Sequence, residues 1–220
     1  MSHRIIGWAV GLGVLIVGAD ASAAPVWVEA PTYAEAAKLF PARAKAAQVG
    51  GSVRLTCTVI VSGYLRNCAV MGESPGGYGF GNAARKLAER MKSDRASSAR
   101  DAELQVIVNF PSGMARSAPY VASNAVWLDL PSTADFVASF PKAENGVNTV
   151  RVAMICNVAA RGALTGCAVE SEQPAGQGYG PSALGLTPKI RVGLLAADGT
   201  PLVGAKVRVP LRYELTPVRP

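Results

Sequence analysis

The pattern of apolar and polar positions follows one order, and that order occurs twice along the chain. A short helical pattern, at 33–40 and again at 133–140, ends in Phe-Pro in each copy. Two runs rich in Val, Leu and Thr follow, separated by a Ser-Gly or an Arg-Gly pair, and this arrangement predicts a β-hairpin. The hairpin strands are expected at 52–61 and 64–71 in the first copy and at 149–159 and 163–170 in the second.

A second helix and a third strand follow each hairpin. The helix is expected at 82–92, where four apolar residues fall on one helical face: Ala84, Leu87, Ala88 and Met91. Gly185 and Pro188 weaken the corresponding pattern in the second copy. The closing strands are the alternating runs 103–110 and 205–215. The pattern therefore predicts an α+β protein in which each copy forms a three-stranded antiparallel sheet with one or two helices.

The two copies also align residue by residue, which identifies an internal duplication. Residues 25–41 match 125–141 at an offset of 100. From Val53 to Ala84 the offset is 99, and 14 of 32 positions are identical. The expected organisation is a module at 26–112, a polar linker at 113–125 and a second module at 126–215.

The four cysteines occupy matching positions in the two hairpins. Folding the first hairpin about Ser62-Gly63 places Cys57 opposite Cys68, where Cβ atoms are about 4.5–5.5 Å apart. A small movement reaches disulfide distance, so we expect the disulfides Cys57–Cys68 and Cys156–Cys167. Each would stabilise its module by about 3 kcal/mol in the loop-entropy estimate. A zinc site or a redox motif is the less favoured interpretation, because the spacing is not C-x-x-C.

The first 23 residues have the pattern of a secretory signal peptide. A short basic start precedes an apolar run from Ile5 to Ala19, and Ala21-Ser22-Ala23 is a small-x-small cleavage pattern. The alternative is an uncleaved membrane anchor. Cleavage would remove the only histidine, His3, and leave a mature chain with the same net charge of +7. Such a chain has no Ser-His-Asp or Cys-His catalysis and no zinc site that needs imidazole.

Three further features have a structural and a functional interpretation. The glycine-rich GYGFG and GQGYG have the spacing G-x-G-x-G, which indicates a tight loop rather than a phosphate-binding motif. Glu73 and Glu172 recur after the hairpins, and we expect loop or helix-capping roles rather than acid-base chemistry. A basic stretch is either a solvated face or a contact with an anionic surface: Arg85, Lys86, Arg90, Lys92, Arg95 and Arg100.

The segment FPARAKAAQVGGSVRLTCTVIVSGYLRNCAV resembles the C-terminal domain of TonB, the periplasmic energy transducer. The matching features are Phe40-Pro41-Ala42-Arg43-Ala44, Gly50-Gly51, Gly63, Ala83-Ala84 and the strand to Phe110. In the second copy, 198–215 is similar to the closing segment of that family. The doubled domain, the cysteine pairs and the missing proline-rich spacer depart from the family pattern.

The resemblance implies a non-catalytic, periplasmic binding protein without a cofactor or a metal. In the family, the final strand pairs with an extended segment of an outer-membrane receptor by β-augmentation. The matching positions predict the partner-binding residues: Gln105, Ile107, Asn109, Lys206, Arg208 and Arg212. The expected partners are envelope proteins, such as TonB-dependent receptors, and not nucleic acid. A short membrane-anchored transducer and a basic protein that binds the cell envelope are the alternatives.

Overall fold

The structure is a computed structural model of the 220-residue chain, and it describes residues 25–94, 102–117, 119–140 and 149–214. The expected signal peptide lies outside these residues. None of the helices in the described ranges is long and apolar enough to cross a membrane.

The described chain is a mixed α+β protein, as predicted. The elements of the first half are β1 (Trp27–Glu29), α1 (Tyr33–Lys38), α2 (Ala42–Ala47), β2 (Gly51–Val59), β3 (Leu65–Ser74), α3 (Phe80–Ala88), β4 (Lys92–Ser93), β5 (Ala102–Phe110) and α4 (Ser112–Ala115). The second half contains β6 (Val121–Ala122), β7 (Ala125–Asp129), α5 (Thr133–Ser139), β8 (Thr149–Val158), β9 (Leu164–Gln173), α6 (Tyr179–Leu186), β10 (Arg191–Ala196) and β11 (Lys206–Glu214).

Each half has its own main sheet. The first sheet has the order β3-β2-β5 and is antiparallel throughout. The second has the order β9-β8-β11-β6, in which only the two-residue β6 is parallel to its neighbour. Two small antiparallel pairs, β1-β4 and β7-β10, were not predicted. The segment predicted as a linker contains α4, whose Met114 and Ala115 belong to the first core, and β6, which joins the second sheet.

Matching capping boxes start α1 and α5. The hydroxyl of Thr32 accepts the backbone N–H of Glu35, and Ser132 caps Asp135 in the same way. Each of these carboxylates also forms an ion pair with a basic side chain. Glu35 binds Arg90, just after α3, at 2.7 Å, and Asp135 binds Lys189, just after α6. In a capping box the hydroxyl and the carboxylate each accept one backbone N–H, which would otherwise be unpaired at the start of the helix.

Both predicted disulfides are present. Cys57 is bonded to Cys68 and Cys156 to Cys167, each with 4.0 Å between the Cα atoms. The turn in the first hairpin is one residue longer than predicted, because Ile60 donates its N–H to the carbonyl of Tyr64. The strands then change register between Thr56 and Thr58, next to Asn67 at φ 52°, and this bulge brings the cysteines opposite each other. Disulfides indicate an oxidising environment outside the cytoplasm.

Glu73 and Glu172 have the predicted loop and capping roles. The Glu73 carboxylate accepts the backbone N–H groups of Gly79 at 3.3 Å and Gly81 at 2.7 Å. Glu172 accepts three N–H groups of the matching loop, including that of Gly180. A side chain at Gly81 would approach Glu73 Oε2 to 2.9 Å, which explains the third glycine of the G-x-G-x-G pattern.

An aromatic cluster lies at the centre of each core. Phe40, Phe80 and Phe110 have ring centroids 5.4–6.1 Å apart in the first half. The matching residues of the second half are Phe140, Tyr179 and Tyr213. Phe80 and Tyr179 are buried below the glycine-rich loops. Trp27 and Trp127 are half-buried at the margins of the two cores.

Candidate functional site

The outer edge of β5 is the first of the two predicted partner-binding strands. Its other edge pairs with β2 along its whole length. Asn109 donates its backbone N–H away from β2, to a residue of the second half. Because backbone groups alternate in direction along an antiparallel strand, the N–H and C=O of 103, 105 and 107 also face outward. Gln105 and Ile107 therefore lie on the strand with outward backbone groups and exposed side chains.

The end of this edge is closed by the turn between β10 and β11, residues 196–200. The N–H of Asn109 donates to the carbonyl of Gly199 at 3.2 Å, and its side-chain amide donates to Asp198 at 3.0 Å and Thr200 at 2.9 Å. Gly199 lies so close to the carbonyl of Ile107 that a Cβ there would be 2.2 Å from the oxygen. Asn109 is thus engaged by the second half. For the rest of the edge, 103–107, the described residues supply no backbone hydrogen-bond partner, although Gly199 packs against the Ile107 carbonyl. We call 103–107 the open part of the edge.

Other contacts also join the two halves. Tyr33 and Tyr120 stack at 5.3 Å with their planes 7° apart, and Tyr33 donates its N–H to the carbonyl of Val203. Burial raises the pKa of both tyrosines above its usual value. Leu195 of the second half belongs to the core of the first. The halves therefore pack together, which the amino-acid pattern alone did not predict.

An apolar cleft of about 290 Å³ lies beside the open part of β5. Both halves contribute to its walls: Val26, Trp27 and Ile107 from the first, and Val126, Leu128 and Leu195 from the second. Val26, Ile107 and Val126 keep 42–45% of their surface exposed. An extended segment paired with β5 could place an apolar side chain here and remove that surface from water.

The edge of β11 is the second predicted site. Lys206 donates its backbone N–H to the carbonyl of Tyr120, and β6 pairs with Lys206 and Val207. By the same alternation, the backbone of 208, 210, 212 and 214 faces outward. Pro210 lies at one of these positions and has no N–H to donate, although its pairing with β8 is intact. Among the described strands, none pairs with 208–214 on this side, and Pro210 interrupts the outward donors of this open part.

The side chains of the two edges differ. Ser52 of β2 and Arg151 of β8 are equivalent positions in the repeat. Ser52 pairs with Asn109 and Arg151 pairs with Arg212, so Asn109 and Arg212 are equivalent positions in the two final strands. Glu103, Gln105, Ile107 and Asn109 thus correspond to Lys206, Arg208, Pro210 and Arg212. Arg208 binds Glu170 and Arg212 binds Glu214, at 2.7 and 2.8 Å. These exposed ion pairs are weak by nature.

The basic stretch after the first hairpin is partly neutralised. Arg90 binds Glu35, Lys92 lies 3.6 Å from Glu29, and Arg85 donates to Asn82. Arg95 and Arg100 lie outside the described residues. Within the described ranges, no three His, Cys, Asp or Glu side chains are placed to hold a metal ion.

Sequence reasoning missed two features. It did not identify the second-half residues that close the end of β5, and it did not identify β6, the strand that closes the end of β11. Asp198-Gly199 is a turn dipeptide, so the turn itself carried a signal. No local signal indicates where that turn packs, because Asn109 and Thr200 are 91 positions apart.

Comparison with known proteins gives little to transfer. No family model matches the chain. An uncharacterised protein from Caulobacter vibrioides is 37% identical over 60 residues, which is 27% of this chain and 60% of the relative's length.

Proposed function

We propose that this chain is a non-catalytic, exported binding protein that pairs with an extended segment of an envelope protein through the edge of β5. The observation that carries the proposal is the open backbone of 103–107 beside an apolar cleft. Main-chain hydrogen bonds to such an edge supply affinity, and a pocket for alternate side chains supplies selectivity.

The resemblance to TonB C-terminal domains supports this function, because that family pairs its final strand with receptor segments. In this proposal the two halves are tandem TonB-like modules, the location is the periplasm, and TonB-dependent outer-membrane receptors are the first partners to test. The first module supplies the strand, while the second completes the cleft and closes the strand end at Asn109.

The proposal is tested by photo-crosslinking in the native envelope. A photoreactive residue replaces Gln105 at the open edge, and a control chain carries it at Val61, which is 71% exposed on the hairpin turn. We expect adducts at 105 with a defined segment of an envelope protein, identified by mass spectrometry, and not at 61. Equal adducts at both positions, or none at 105, would reject pairing at β5.

A further inference from the structure

The outer face of the second sheet collects basic side chains. Four exposed cations share this face: Arg151, Lys206, Arg208 and Arg212. They share it because paired residues on neighbouring strands and alternate residues on one strand point to the same side. Among the described residues, the carboxylates that contact them are Glu170 and Glu214, which gives this cluster a net charge of 4 − 2 = +2.

Elsewhere in the described second half there are three basic residues, of which two are paired and Arg161, in the hairpin turn, is not. Lys189 binds Asp135, and Arg191 binds Asp129 at 2.5 Å. The corresponding positions of β5 carry no cation. Within the described second half, the four basic residues of this face therefore form the densest group of positive charge.

One pair on this face brings two like charges together, and the Glu214 carboxylate, 2.8 Å from Arg212, offsets only part of their repulsion. Arg151 and Arg212 are direct partners on adjacent antiparallel strands, and like charges at opposite positions are destabilising. A phosphate group between two guanidinium groups would accept hydrogen bonds from both and relieve the repulsion.

We propose that this face docks the protein on a membrane surface rich in anionic phospholipid. Lys206 and Arg212 lie roughly 20 Å apart along an extended strand, whereas one small anion would contact only neighbouring cations. An acidic strand is disfavoured at the adjoining edge because Pro210 interrupts its hydrogen bonding. The inference goes beyond the proposed function and does not depend on the pairing at β5.

The test uses the full chain with its disulfides intact and measures co-sedimentation with phosphatidylcholine vesicles, with and without phosphatidylglycerol. We expect binding only to the anionic vesicles, with release at high salt. The double variant R151Q/R212Q should bind roughly 20- to 30-fold more weakly. The control K38Q/K45Q removes the same charge from exposed residues of the first half and should bind like the parent chain.

A second variant tests the proposal in the opposite direction. Glu170→Gln releases Arg208 from its carboxylate and should strengthen binding to anionic vesicles about fivefold. Equal binding to both kinds of vesicle, or equal loss in the two double variants, would overturn the proposal. Binding of soluble poly-glutamate through Arg151 and Arg212 without vesicle binding would overturn it too, and would assign the face to an acidic protein segment.

Discussion

The final strands of the two sheets are closed at opposite ends. In β5 the C-terminal end is closed, because Asn109 binds the 196–200 turn, and 103–107 is the open part. In β11 the N-terminal end is closed, because Lys206 and Val207 pair with β6. The open remainder of β11 contains Pro210, whereas the corresponding residue of β5, Ile107, can still donate an N–H.

This difference separates the roles of two copies that began alike. The duplicated hairpins, disulfides and capping boxes keep the same scaffold in both halves. The edges diverged, so β5 offers continuous pairing beside an apolar cleft, and β11 offers a basic face. In the proposed function, one copy thus supplies the pairing edge and the other copy completes and positions it.

The largest expected effect concerns the shared scaffold. Replacing both cysteines by alanine in either hairpin, C57A/C68A or C156A/C167A, should lower the free energy of unfolding by about 3 kcal/mol. The two losses should be similar because both disulfides span 11 residues. Urea denaturation of the two variants measures this, and a loss confined to one half would show that the scaffolds are not equivalent.

Exchanging the residues that distinguish the edges is the sharpest test of the comparison. Ile107→Pro removes an outward N–H while leaving the pairing with β2, so partner affinity should fall about 10- to 30-fold. Ile107→Val retains the N–H and is the control. Pro210→Ile should add pairing at β11. The measurement is the affinity of each variant for a synthetic peptide that has the sequence of the crosslinked segment. Equal affinity of the Ile107→Pro and Ile107→Val variants would contradict pairing at β5.

The closure of β5 can be opened from the second half. Gly199→Ala would place a Cβ 2.2 Å from the Ile107 carbonyl oxygen, whereas Gly204→Ala meets nothing within 4 Å at a similar positive φ. Both variants bear the cost of an alanine in the left-handed region, roughly 1–2 kcal/mol. Only Gly199→Ala should also speed hydrogen exchange of the Asn109 amide. Unchanged exchange at Asn109 would mean that the turn does not close the strand.

The smallest expected effect concerns the capping box of α5. Hydrogen bonds from Lys189 and then Ser132 lower the pKa of Asp135 from 3.8 to about 2. The folded pKa is depressed, so the contribution to stability is present above pH 3.8 and is lost as the pH falls towards 2. Carbon-detected NMR should show Asp135 titrating near pH 2 in the parent chain and near its ordinary value in the variant S132A/K189Q. A midpoint near 3.8 in the parent would contradict the pairing.

The sequence by itself determined the features that depend on local spacing. The hairpins and the cysteine pairs are fixed within about a dozen residues, because strand alternation and a turn decide which residues face each other. The repeat follows directly from residue identity at an offset of 99 or 100. The loop role of Glu73 was also predicted, although the N–H groups that it accepts were not. The one-residue bulge at Asn67 escaped prediction, because a single inserted residue leaves the same apolar pattern.

Only the tertiary structure decided which backbone edges remain open. The contacts that close them join Asn109 to Thr200 and Lys206 to Tyr120, residues 91 and 86 positions apart. Such contacts depend on how two folded halves pack, and neither strand carries a local pattern for them. The same holds for the cleft, whose walls come from both halves, and for the meeting of Arg151 with Arg212, which required the strand register.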